Sequence, residues 1–153
     1  MKLIEEKLKD LNIEIPEAAK PLAAYIPAIK VDNFVYISGQ LPFVNGELKF
    51  KGKVGLDVSE DDAQIEASKA VLNCLGAVKS VIGSLDDIEQ IVKLTVFVNS
   101  ANGFTNQPKV ANGASELLQK IFGDKGKHTR SAVGVSELPI NAPVEIEMIV
   151  KVK

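Results

Sequence analysis

An α+β fold is predicted, with one mixed β-sheet, two main helices packed on a single face of it, and a shorter helix at the N-terminus. Three observations carry this expectation. Two long segments repeat apolar residues at helical spacing, which gives each a buried stripe. Several shorter runs are β-branched or alternate apolar with polar residues, as strands do. Their order is α-β-β-β-α-β-α-β-β, which suits helices gathered on one side of a sheet.

Leu3, Ile4, Leu8 and Leu11 share one stripe over residues 2–11 and predict a short amphipathic helix. Pro16 and Pro21 break any continuation. Residues 24–30 and 34–38 are strand-like, with the turn-prone Asp32-Asn33 between them. Asn45-Gly46 predicts a tight turn into a third strand over 47–50. Ser59 followed three residues on by Asp62 resembles a capping box, with Asp where Glu or Gln is usual. Ala63, Ala67, Ala70, Val71, Cys74, Val78 and Ile82 then form one stripe of mostly small residues, so this helix can lie close against a sheet, and Gly83 stops it. Residues 91–98 are almost wholly apolar, as expected of a central strand buried on both faces. A second long helix spans 106–122 and ends at Gly123. Thr129–Val135 and Val144–Val152 are the last strands, separated by Leu138-Pro139 and Pro143.

Placing both helices on one face leaves the other uncovered. In the last strand Val144, Ile146, Met148, Val150 and Val152 point one way, and Glu145, Glu147, Ile149 and Lys151 the other. The second set faces outward beside neighbours such as Ile37 or Tyr36. A half-apolar sheet face of that extent is usually covered by another subunit, so a homo-oligomer is expected.

The 153 residues suit one domain, with 1–15 as an N-terminal helical extension. A net charge of −2 argues against a nucleic-acid partner, because phosphate binding needs a basic face. The opening MKLIEEKLKDLN carries acids among its apolar residues and is not read as a secretory leader. No window approaches the run of about 20 apolar residues that crosses a bilayer. With the lone Cys74 unable to form an intrachain disulfide, a cytoplasmic protein is expected.

Most familiar catalytic machinery is missing. One His and one Cys far apart supply no metal site, nothing local pairs with His128 to make a nucleophile, and no Gly-rich loop cradles phosphate. His128 is read as an exposed residue outside any catalytic group, and Cys74 as core packing. What remains is Arg130, the one Arg among 18 cationic residues. Its planar fork matches a carboxylate bidentately at any relevant pH; the alternative is a surface cation or an interface ion pair.

YISGQLP at 36–42 and RSAVGVSELPINAPVEIEMI at 130–149 resemble the two signature stretches of the Rid/YjgF superfamily, the reactive-intermediate deaminases, also labelled the L-PSP endoribonuclease family. The likeness covers roughly residues 20–153. The N-terminal helix and the AVGV wording are closer to a less characterised branch than to the enamine/imine deaminase type. The resemblance implies a chorismate-mutase-like fold, a homotrimer with clefts between subunits, and no cofactor or metal. It implies that Arg130 holds a substrate carboxylate and Tyr25 lies over the ligand. Ser38 and Glu145 would place a water with help from the backbone of Gly39 and Ala132, and Asn112 would support the cleft. Asn112 alone would read as a solvent-facing helix residue, Tyr25 as a half-buried aromatic, and Ser38 as a strand-end hydroxyl bonded to nearby backbone. Ala132 and Gly134 depart from the deaminase type, and a roomier or differently shaped pocket is expected from them.

Two function classes follow. The first is hydrolytic deamination of small enamines or imines from amino-acid metabolism, which needs only orientation and a placed water. The second is a non-catalytic trimer that binds a small carboxylate metabolite as a sensor. An endoribonuclease ranks third, given the charge, the 5% aromatic content and the lone His.

Overall fold

The computed structural model describes residues 2–20 and 24–153; Pro21 and the Leu22-Ala23 pair of the loop before Tyr25 lie outside the described residues. In chain order the elements are α1 (Ile4–Asp10), β1 (Ala28–Val31), β2 (Phe34–Gln40), α2 (Glu60–Ile82), β3 (Ile88–Asn99), α3 (Gln107–Phe122), β4 (Thr129–Val135) and β5 (Val144–Val152). The strands form one five-stranded sheet in the order β1-β2-β5-β3-β4. Only the β3–β4 pair is parallel, so the sheet is mixed as expected. The helix α2 covers β1, β2 and β5, and α3 covers β3 and β4.

Local chemistry explains the boundaries. Ser59 Oγ accepts the Asp62 N–H at 3.1 Å and starts α2, whose first turn holds Glu60, Asp61 and Asp62 against the positive end of the helix dipole. Gly83 ends it at φ 84°, a conformation other residues adopt at a cost. Between these ends Ala63, Ala67, Ala70, Val71, Cys74 and Val78 are fully buried, and Ile82 partly so. Because the stripe is small, α2 sits close enough for Cys74 Sγ to donate to the Ile146 carbonyl at 3.4 Å. The two helices also touch closely: a Cβ at Gly113 would overlap the Gln64 carbonyl.

The extension is fastened rather than loose. Leu8 is buried, Asp86 Oδ1 accepts the Ile4 N–H at 2.6 Å, and Glu5 pairs with Lys79 at 3.0 Å. Further on, the Pro16 carbonyl occupies the space beside Gly76 where any Cβ would stand.

Three expectations change, and one open choice is settled. Residues 47–50 make no strand: Val44 and Glu47 form one bridge around Asn45 (φ 51°) and Gly46 (φ 80°). Beyond that bridge the backbone is claimed elsewhere, because Gly52 donates to the Asn141 carbonyl at 2.8 Å and accepts from Asn99 Nδ2 at 3.1 Å. The first strand begins at Ala28, since Pro27 has no N–H to offer a ladder. Within one chain β3 is buried on one face only; β5 takes the centre, and Val92, Lys93, Thr95 and Phe97 remain half-buried. Ile37 turns toward the helices in register with Met148, whereas Tyr36 faces outward and is 45% exposed. The alternation of β5 is as expected, and the outer face also carries Ile29, Val31, Phe34 and Val133, all substantially exposed.

Glu66 is a buried acid on α2 with one carboxylate oxygen 2.6 Å from Lys69 and the other without a partner among the described residues. Lys69→Ala strands that acid and is expected to cost about 3 kcal/mol in denaturant unfolding, most of which Glu66→Leu in the same chain should restore.

Candidate functional site

The residues singled out in the sequence fall into two groups. The first lies on the helix side of β4. Parallel register with the buried Leu94 turns Arg130 toward α3. There its Nη1 donates to Asn112 Oδ1 at 2.9 Å and to Ser115 Oγ at 3.1 Å. Asn112 is therefore a partner of Arg130 and not a solvent-facing residue. Ser115 is buried, and its Oγ lies 2.9 Å from His128 Nε2, while His128 Nδ1 donates to the Gly126 carbonyl at 2.6 Å. His128 is half-buried and bonded through both ring nitrogens, which corrects its reading as an exposed residue. Ala132 shares the Arg130 side and packs on the core. The space opposite Gly134 is not open: a Cβ there would stand 2.8 Å from Ser100 Oγ and 2.9 Å from Gln107 Nε2.

The second group lies around a bulge in β2. The bulge, between Ile37 and Gln40, brings Gly39 against the Glu145 side chain, and a Cβ at 39 would overlap the carboxylate. Ser38 Oγ donates to the Ile26 carbonyl at 2.7 Å and its N–H to the Pro27 carbonyl at 2.9 Å, so this hydroxyl fastens the segment that carries Tyr25. Tyr25 itself is 54% exposed at a cleft of about 760 Å³, walled also by Gly39, Leu41, Phe43, Asn73 and Ile140. Asn73 Nδ2 holds one wall by donating to the carbonyls of Leu41 (2.8 Å) and Phe43 (3.0 Å). The opposite wall hangs on buried Asn99, whose Nδ2 donates to Asn141 Oδ1 at 3.2 Å and the Ala142 carbonyl at 3.1 Å. That anchorage leaves Ile140 at φ 50° and Asn141 at φ 59°.

Burial raises the Glu145 carboxyl above its ordinary 4.5, and the negative charge of Glu147 adds to the shift. Burial likewise pushes the Cys74 thiol up, far from any nucleophilic role.

One chain does not unite the two groups. Glu145 pairs with Phe97, and Phe97 with Val133, on the outer face; Arg130 lies on the inner one. Sequence reasoning missed Ser115, Asn73 and Ile140, and set His128 aside. Spacing held a signal for two of them: Asn112 and Ser115 stand one helical turn apart, and His128 and Arg130 alternate along one strand direction.

The sequence matches the family model described as "YjgF/chorismate_mutase-like, putative endoribonuclease" over residues 5–151. The chain belongs to the Rid/YjgF superfamily. It is 36% identical over 149 residues to Protein TCP17 of Trypanosoma cruzi, covering 97% of this chain and 93% of that one. To the 2-iminobutanoate/2-iminopropanoate deaminase of Dermatophagoides farinae it is 32% identical over 146 residues, covering 92% and 95%. Among solved structures, Atu1372 of Agrobacterium tumefaciens, a protein of unknown function, superposes with a TM-score of 0.91 at 41% identity, covering 98% and 92%. The YjgF gene product of E. coli gives 0.63 at 25% identity, covering 88% and 93%. The chain therefore superposes more closely on Atu1372 than on the E. coli protein.

Two expectations follow from this geometry. Ile140 is a β-branched residue held in the left-handed region with its side chain 55% exposed, so little packing offsets the strain. Ile140→Asn should raise the unfolding free energy by about 1 kcal/mol in denaturant titration. Glu145→Gln should also stabilise, but only where Glu145 would be ionised. Its folded value is raised, so the gain is full above that value and is lost as pH falls through it toward the ordinary carboxyl range, which parallel melts across pH will register.

Proposed function

We propose that this chain is a small-molecule deaminase that hydrolyses reactive enamine or imine intermediates derived from amino acids. It does so in clefts between subunits of a homotrimer. The observation that carries the reading is the state of Arg130. Among the described residues its guanidinium is held through Nη1 alone, so the Nε–Nη2 edge is left to grip a carboxylate bidentately. The half-apolar outer face of the sheet and the placement of Glu145 and Arg130 on opposite faces both support assembly. A neighbouring copy would supply the half of the cleft that one chain lacks. The relative named as an imine deaminase supports the chemistry.

In this reading Arg130 fixes the substrate carboxylate beside the imine carbon, and Tyr25 covers the ligand. Asn112 holds Arg130, while the backbone at Gly39 and Ala132 lines the approach. Water adds to the C=N carbon as Glu145 takes its proton. The carboxyl returns that proton to nitrogen, completing the carbinolamine, then takes the hydroxyl proton and passes it to the same nitrogen as the C–N bond breaks to give a 2-oxo acid and ammonia. A carboxyl with raised proton affinity suits a group that must accept and return a proton in each step. Ser38 acts by holding the Tyr25 segment and presenting the water.

Light scattering should return about three times 16.4 kDa. In a coupled assay that generates amino-acid-derived enamines, the protein should speed their loss. Arg130→Ala should abolish this while the assembly persists, and Arg130→Lys should not restore it, because an ammonium lacks the planar fork. Unchanged decay rates across a broad substrate set, with carboxylate binding intact, would instead make the chain a binder or sensor. Dissociation of Arg130→Ala into monomers would make Arg130 an interface residue.

A further inference from the structure

If Arg130 grips a carboxylate, the direction of its free edge has to be set by something. The guanidinium is half-buried at an edge strand, where a long side chain has room to swing. Its Nη1 contacts begin a chain of hydrogen bonds whose proton order can be worked out. The Gly126 carbonyl can only accept, so His128 Nδ1 carries a hydrogen and donates it. In the neutral imidazole Nε2 is then an acceptor, and the Ser115 hydroxyl donates to it. The Ser115 oxygen, its own hydrogen so engaged, accepts from Arg130 Nη1. Every donor meets an acceptor along this path, and Asn112 Oδ1 takes a second bond from Nη1.

The far end of the chain is rigid. Gly126 is buried, and a Cβ on it would overlap the Leu118 carbonyl, so this turn lies directly on α3. From the other side Gln90 Nε2 donates to the Lys125 carbonyl at 3.1 Å, and Thr129 Oγ1 to the Val92 carbonyl at 2.8 Å. The path therefore runs from a turn clamped between α3 and β3 to the guanidinium.

We infer that Ser115 and His128 are positioning residues for Arg130, locking its Nη1 corner so that the Nε–Nη2 edge faces the ligand. The inference rests on reading Arg130 as the carboxylate-holding group. Neither side chain touches substrate; both act through the arginine. Asn112 alone would leave the guanidinium free to pivot about a single contact, and the Ser115–His128 path removes that freedom.

The test uses the full chain with 2-oxobutanoate as probe, its affinity read by titration calorimetry. Hindered rotation of the Arg130 guanidinium, read by nitrogen-15 NMR, is the readout that does not depend on the probe. Ser115→Ala and His128→Asn, whose shorter amide does not reach Ser115, should each weaken 2-oxobutanoate by about tenfold and free the guanidinium rotation. His128→Gln places an amide oxygen near the position of Nε2 and should keep both close to the parent. Should Ser115→Ala fail to fold, the Asn and Gln variants of His128 still decide the matter. Loss of binding in Arg130→Ala, with parent-like affinity and rotation in Ser115→Ala and His128→Asn, overturns the positioning role and leaves the Arg130 reading intact. Undiminished 2-oxobutanoate binding by Arg130→Ala overturns the Arg130 reading, and the positioning role goes with it.

Discussion

The depth to which α2 settles on the sheet decides most of this fold. Ala63, Ala67, Ala70 and Cys74 present almost no side chain beyond Cβ, so the helix axis can approach β5 closely. Gly76 repeats the device on another side of the same helix, where the N-terminal segment crosses with its Pro16 carbonyl in the vacant space. With α2 sunk this far, α3 takes the remaining width over β3 and β4, and Gly113 lets it press on the Gln64 backbone. Larger residues along the stripe would lift the helix layer and open voids beneath it, which cores tolerate poorly. The helix layer is complete on one face, and no helix is left for the other.

Much of this was legible because local chemistry and tertiary packing agree. The Ser59 cap, the Gly83 and Gly123 stops and the alternation of β5 are encoded by residues that need no distant partner. The failures sit where distant groups overrule local preference. Residues 47–50 have strand-like composition, but they contribute a single Val44–Glu47 bridge, and just beyond them Gly52 is bonded to Asn99 and Asn141 instead of to a neighbouring strand. Ile37 and Tyr36 were interchangeable until the register with Met148 and Ile149 assigned each a face. Of the site, the individual residues could be named from motif likeness, whereas their division between two faces could not, because it depends on how β3 pairs with both β4 and β5. Ser115 stayed hidden because one serine on a helix carries no mark until a histidine is placed beside it.

That division has a chemical use. A guanidinium and a carboxylate within reach of each other in one subunit would form an ion pair, and each would satisfy the other. The sheet stands between Arg130 and Glu145 and prevents it. Burial, with Glu147 as the charged neighbour, holds the Glu145 proton more tightly instead of expelling it. The guanidinium, bonded to the neutral Asn112 and Ser115, keeps its full charge available.

The order of strands also bears on how the chain comes together. β5 is the middle of the sheet, yet it follows every other strand in sequence. As the chain emerges during synthesis, the β1–β2 hairpin and β3 wait without their shared neighbour, and the alanine stripe of α2 has only the hairpin to rest on. Such late, long-range pairing is slow, because loop closure is entropically costly before the contacts form. The thiol of Cys74 is sealed only when Ile146 arrives beneath it. Until then it is an ordinary cysteine, open to oxidants and alkylating reagents, and its disappearance from their reach marks the moment the sheet closes.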